Sequence, residues 1–188
     1  ADKNLVISNS TLEELRALDV GAWKHPKFKG TKIPTISEVF ATIPKGKKIF
    51  VEVKCGPEII PFLIKEIKKA NLETDQVRLI CFNPKVIKGF KEKMPSYKAY
   101  WLSGFKKKNG TWKPSVDQVI TTLQGCQADG LDSQYTIPPE FSKSVINAGF
   151  EWHAWTINDS KTAENLAKRG IDSITTDRPK LIGLGFKN

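Results

Sequence analysis

From residue 48 onward, segments that read as strands alternate strictly with segments that read as helices. Strand-like runs end near Glu52 and cover 77–82, 98–103, 130–133, 152–157 and 171–176, and between them lie helix-like segments at 57–70, 84–93, 115–126, 139–148 and 160–168. The strand segments are short and rich in β-branched and aromatic residues. Two of the helices end in Gly149 and Gly170, and several open on Pro or Ser. A strand that returns through a helix pairs parallel to its predecessor, so this order predicts an α/β fold with a parallel sheet of six strands. Six strands do not close an ordinary eight-stranded barrel. An open doubly wound sheet fits the pattern as well, although no Gly-rich phosphate loop follows any strand.

Ahead of this region, Ser10 or Thr11 can cap a short helix over 11–18, with a carboxylate three residues on. A loop rich in Gly, Pro and aromatics spans 21–35, then Thr35 caps a helix over 36–43 that Pro44 and Gly46 end. No low-complexity linker interrupts the chain, which reads as one domain over 1–188.

With 39% hydrophobic and 27% charged residues among 188, the composition is that of an ordinary globular chain. No apolar run reaches membrane-spanning length, so no membrane span is expected. The polar start Ala1 Asp2 Lys3 Asn4 has no leader pattern, but the first residue is not Met and the compartment, cytoplasmic or exported, stays open. Cys55, Cys81 and Cys126 are odd in number and form no C-x-x-C pair, which reads as small buried hydrophobes without a disulfide framework. The net charge of +10 favours anionic partners. Most of it reads as solvated surface, such as a helix face with Lys65, Lys68 and Lys69 and a loop with Lys106, Lys107 and Lys108. No nucleic-acid-binding motif accompanies it, so nucleic acid is not expected as a partner.

The segment Ile49 Phe50 Val51 Glu52 Val53 Lys54 Cys55 Gly56 carries the sharpest chemical signal. Residues two apart in a strand share a face, so Glu52 and Lys54 project together from its C-terminal end. A carboxylate and an ammonium there are costly to bury unless they pair or bind a charged ligand. A structural ion pair is the plain alternative. Other polar or aromatic groups recur at strand ends: Cys81, Phe82 and Asn83; Trp101 and Ser103; Asp132; Trp155, Thr156 and Asn158; Thr176 and Asp177. In a parallel barrel these ends converge on one rim. Trp101 reads as rim packing, and Asp177, before Arg178 Pro179, either turns the chain or serves a site. His153 reads as a satisfied interior histidine and His25 as a loop residue.

Four stretches, taken together and in order, resemble the glycerophosphodiester phosphodiesterase family. The first is Leu18 Asp19 Val20 Gly21 Ala22 Trp23, continuing through Phe28 Lys29 Gly30 to Ile33 Pro34 Thr35 Ile36 Ser37 Glu38 Val39. The second is Val51 Glu52 Val53 Lys54, and the third is Cys81 Phe82 Asn83 Pro84. The fourth is His153 Ala154 Trp155 Thr156 Ile157 Asn158 with Ile174 Thr175 Thr176 Asp177 Arg178 Pro179. The resemblance implies a TIM barrel of the phospholipase-C-like phosphodiesterase type. It also implies metal-dependent hydrolysis of a glycerophosphodiester to glycerol 3-phosphate and an alcohol, as in phospholipid degradation. The implied cofactor is a divalent cation, Mg²⁺ or Ca²⁺, held by carboxylates. By position Glu52 is a metal ligand, Lys54 faces the phosphoryl oxygens, and Phe82 and Trp155 line the glycerol side. The family's His-Arg pair, its Glu-x-Asp and a further His-Asp have no counterpart here, and neither expected acid–base histidine is present. On this resemblance, 1–47 is most of an insertion segment and 48–188 the last six strands of a barrel lacking its first two. A complementary N-terminal segment becomes an expected partner. The alternative is a catalytically incomplete barrel fragment that binds a phosphorylated ligand or a protein.

Overall fold

Two units make up the chain, Ala1–Lys45 and Gly46–Asn188. A computed structural model describes residues 1–185. The first unit holds two short helices, α1 (Leu12–Ala17) and α2 (Ile36–Phe40), and each opens with a reciprocal cap. Thr11 Oγ1 accepts from the Glu14 N–H at 3.2 Å while the Glu14 carboxylate accepts from the Thr11 N–H at 2.7 Å. Thr35 and Glu38 repeat the exchange at 3.3 and 2.7 Å. These bonds satisfy N–H groups that a helix start leaves orphaned. Arg16 Nη1 joins Glu38 at 2.8 Å, tying the last turn of α1 to the first turn of α2. The Thr35 N–H and then Arg16 hold the Glu38 carboxyl down at about 2. Asp19 organises the loop between the helices by accepting from Gly21, Ala22 and Gly30 N–H groups at 2.8, 3.0 and 2.7 Å.

The second unit runs β1 (Ile49–Glu52), α3 (Ile60–Lys69), β2 (Val77–Cys81), α4 (Pro84–Lys93), β3 (Lys98–Ser103), β4 (Lys106–Lys108), β5 (Thr111–Lys113), α5 (Val116–Gly125), β6 (Gly130–Gln134), α6 (Pro139–Asn147), β7 (Glu151–Trp155), α7 (Ser160–Lys168), β8 (Ser173–Ile174) and α8 (Pro179–Gly185). Six of the strands pair in parallel in the order β1-β2-β3-β6-β7-β8. Paired strands lie about 4.8 Å apart, so in a flat sheet β1 and β7 would stand about 19 Å apart. Instead the Phe50 ring on β1 lies 5.8 Å from the His153 ring on β7 and 6.0 Å from Tyr100 on β3. The sheet is therefore strongly curled, with the face of Phe50, Tyr100 and His153 on its concave side.

The opposite face carries the main core. Leu79, Ala99, Leu131 and Ala154 are fully buried there, beneath Val86, Ile87 and Phe90 of α4, Val119 and Leu123 of α5 and Val145 of α6. Each large side chain so buried contributes about 1.5–3 kcal/mol. The helices alternate apolar and charged faces, which is how the chain covers one side of a sheet and stays wetted on the other. Gly130 is required where β6 meets β7, because a Cβ there would fall 2.2 Å from the Glu151 carbonyl oxygen.

Three sequence expectations change. The Lys106–Lys108 loop is a strand, β4, hairpinned antiparallel onto β5. Asn109 and Gly110 turn it with φ of 48° and 80°, the positive pair that a two-residue hairpin turn requires. The last strand is shorter than 171–176, although the Asp172 N–H to Trp152 and Thr175 N–H to Ala154 bonds, both 2.8 Å, flank it. Cys81 and Cys126 are buried as expected, but Cys55 is exposed, since the chain leaves the sheet after Val53.

Candidate active site

The C-terminal ends of the parallel strands surround a cavity of about 280 Å³ on the concave side. Glu52, Asp132, Thr156 and Thr175 give its wall polar groups, and Ile80, Leu102, Phe82 and Trp155 make it apolar elsewhere. The Phe82 and Trp155 rings meet edge to face with centroids 6.3 Å apart, although β2 and β7 are three strands apart in the sheet. Curling thus brings five residues singled out in the sequence, Glu52, Phe82, Asp132, Trp155 and Thr156, into one pocket. Lys54 is not in the wall. Its side chain is 78% exposed and its Nζ lies 3.1 Å from Glu52 Oε1, so it stands at the pocket's edge as the ion partner of a wall carboxylate.

Neighbouring bonds hold the wall in place. The Trp101 indole N–H donates to the Phe82 carbonyl at 3.0 Å, and Cys81 Sγ donates to the Val53 carbonyl at 3.0 Å. Asn83 caps α4 by accepting from the Lys85 N–H at 3.0 Å. On the other flank Asn158 Nδ2 donates to Asp177 at 2.9 Å, and Asn158 Oδ1 accepts from the Asp177 N–H at 2.8 Å and from Thr176 Oγ1 at 3.1 Å. Of the two readings of Asp177, chain turning is the one its bonds describe.

Asp132 was visible in the sequence only as one of several polar groups at strand ends. It is 3% exposed, and its Oδ1 has no hydrogen-bond partner among the described residues. Burial pushes its carboxyl up to about 7, with the Glu52 charge adding to the effect. It is therefore a cavity group able to exchange a proton near neutrality. The Trp155 Nε1 is likewise buried and unpartnered among the described residues. The available sequence signal was one charge in an otherwise uncharged strand, Gly130 Leu131 Asp132 Ser133, at the position two after a glycine.

His153 sits deeper, outside the cavity wall. Its Nδ1 is 2.6 Å from Ser173 Oγ and its ring is 4.2 Å from that of Tyr100. Burial lowers it to about 4, so the ring is neutral at neutral pH. Tyr100 Oη donates to Glu151 Oε2 at 2.7 Å, and Glu151 pairs with Lys98. The histidine is interior as expected but not fully satisfied, because its Nε2 is buried without a hydrogen-bond partner among the described residues. His25 lies in the first unit, where its Nδ1 accepts from the Lys27 N–H at 3.2 Å. Among the described residues no three His, Cys, Asp or Glu side chains gather as a metal set. Glu52 and Asp132 are the carboxylates in the cavity wall.

Residues 1–181 match the model of the glycerophosphoryl diester phosphodiesterase family. A glycerophosphodiester phosphodiesterase of Caldanaerobacter subterraneus subsp. tengcongensis is 30% identical over 184 residues, covering 94% of this chain and 71% of that protein. Among solved structures, an Oleispira antarctica phosphodiesterase in complex with the product sn-glycerol-3-phosphate superposes with a TM-score of 0.84 at 21% identity, covering 100% of this chain and 74% of the other. A glycerophosphodiester phosphodiesterase of Parabacteroides distasonis gives 0.74 at 23% identity, covering 95% and 71%. At these identities the structural matches establish the fold, a curled parallel sheet of the TIM-barrel type.

Proposed function

The chain belongs to the glycerophosphoryl diester phosphodiesterase family of hydrolases, and we propose that its cavity binds a glycerophosphodiester for hydrolysis to glycerol 3-phosphate and an alcohol, a step of phospholipid degradation. One observation carries this reading: a carboxylate with an ammonium partner, Glu52 and Lys54, stands at a pocket whose other wall is the Phe82–Trp155 aromatic pair. The rings suit the carbon skeleton of glycerol. The Lys54 charge suits phosphoryl oxygens, on which negative charge grows as the P–O bond to the alcohol breaks and a water oxygen forms the new one. One of the water's protons leaves on the alcohol oxygen and the other goes to the phosphate product or to solvent.

A divalent cation, Mg²⁺ or Ca²⁺, belongs to the proposal, with Glu52 as a ligand offering the oxygen that hard cations take. When bound, such an ion would polarise the phosphoryl group. Glu52 and Asp132 alone do not amount to a full protein shell, and the described residues offer no third acidic or histidine side chain to join them. No step is therefore derived through the ion. The cavity wall also contains no histidine; among the described residues Asp132 is its one group poised to exchange a proton near neutrality, and the remaining acid–base work falls to a complementary segment.

The test is turnover of glycerophosphocholine and glycerophosphoethanolamine, read by enzymatic detection of sn-glycerol 3-phosphate, with each cation and with a peptide spanning the complementary segment. Glu52→Gln and Lys54→Ala are expected to lower kcat/KM by about 100-fold or more. Binding of sn-glycerol 3-phosphate without turnover under every condition would sink the hydrolase reading and favour a binding module.

A further inference from the structure

The β4–β5 hairpin leaves β3 at the end of the sheet where the cavity opens. Its root is tied to that rim, since Gln134 Nε2 at the end of β6 donates to the Phe105 carbonyl at 2.6 Å. Register places Lys106 opposite Lys113 and Lys108 opposite Thr111, so Lys106, Lys108 and Lys113 share one face, with Lys107 and Trp112 on the other. All four lysines are exposed and Trp112 is half-buried. None of the four joins an ion pair among the described residues. Like charges directly opposite each other weaken a hairpin, and two isolated strands are marginal to begin with. Stability of the hairpin therefore gives no reason for this cluster. An anionic surface would convert the repulsion into attraction.

We infer that this hairpin docks the cavity mouth onto an anionic lipid bilayer. Each strand is about 10 Å long, too short to follow a nucleic-acid backbone. The cations are all lysines, without the planar fork that arginine brings to nucleic-acid phosphates. Lysine stems reach lipid headgroups as point charges. Phe82, 53% exposed at the cavity, puts an aromatic ring on the same rim. Each lysine near such a surface is worth roughly a fivefold gain in partitioning at low salt, and added salt shortens the reach of the attraction.

The experiment is cosedimentation of the full chain with vesicles rich in phosphatidylglycerol and with pure phosphatidylcholine vesicles. It reads binding and not turnover, so its failure would leave the hydrolase proposal standing. The expected result is salt-sensitive binding to the anionic vesicles only. K106Q/K108Q/K113Q should weaken it by about 100-fold, with an unchanged circular dichroism spectrum and unfolding midpoint. K65Q/K68Q/K69Q on α3 removes the same charge from another exposed face and should cost only a few-fold. The inference is overturned by no binding to anionic vesicles, by equal losses in the two triple variants, or by RNA binding as tight as vesicle binding and lost with the same hairpin lysines.

Discussion

Replacing Asp132 by Asn should expose a pH dependence that the native chain conceals. Burial and Glu52 raise the Asp132 carboxyl to about 7 from 3.8, while burial lowers His153 to about 4 from 6.5. A carboxyl raised on folding contributes stability that is complete below the unfolded value of 3.8 and is lost as pH rises through 7. A histidine lowered on folding contributes stability present above 6.5 and lost as pH falls through 4. At about 1.4 kcal/mol per unit, acidifying from about pH 7 to 4.5 gains about 3 kcal/mol at Asp132 and loses about 3 kcal/mol at His153. The two nearly cancel, and the native profile should be flat. Glu14, Asp19, Glu38 and Asp159 are held low, so their contributions fade only below their ordinary values of 3.8 to 4.5. In Asp132→Asn only the histidine slope remains, so stability should fall by about 3 kcal/mol across the window. In His153→Gln only the carboxyl slope remains, and stability should rise by the same amount on acidification. With a urea m-value of about 2 kcal/mol/M, each variant's midpoint should move by about 1.5 M, in opposite directions. Urea unfolding followed by tryptophan fluorescence at several pH values measures this. Two variants as flat as the native chain would refute the reasoning.

Other outcomes follow from single contacts. Gly130→Ala drives a methyl into the Glu151 carbonyl, and overpacking of this kind should cost about 3 kcal/mol, seen as a lowered thermal midpoint. Thr35→Ala removes the α2 cap and should cost about 1 kcal/mol, read as faster amide exchange in 36–40. Ser133→Ala leaves the buried Trp152 indole N–H without the partner it now has at 3.0 Å, a loss of about 1–3 kcal/mol measurable by urea titration.

The order of strands and helices was legible because the two periodicities differ and because Pro, Ser, Asn and Gly mark the ends. Helix α4 opens on Asn83–Pro84, and α7 closes at Gly170 with φ of 82°. Glu52 stood out because a strand's alternation is visible in sequence. Asp132 did not, since what distinguishes it is burial and an unpartnered oxygen, and those depend on curvature that no local pattern reports. The basic hairpin was hidden differently. Asn109–Gly110 is a turn signal, but the lysine run before it reads equally well as solvated loop. The convergence of Phe82 with Trp155 was expected only through family resemblance; periodicity could place each on a strand end but could not bend the sheet between them.

That bend also bears on how the molecule comes into being. Phe50 can touch His153, and Phe82 can touch Trp155, only after the intervening strand–helix units have been laid side by side. Closing such long loops costs chain entropy before the contact returns anything, and contacts distant in sequence slow folding. Adjacent pairings such as β2 with β3 can form early because a single helix separates them. The pocket is then assembled among the last features of the chain, and any ligand it holds reports a sheet that has completed its curvature.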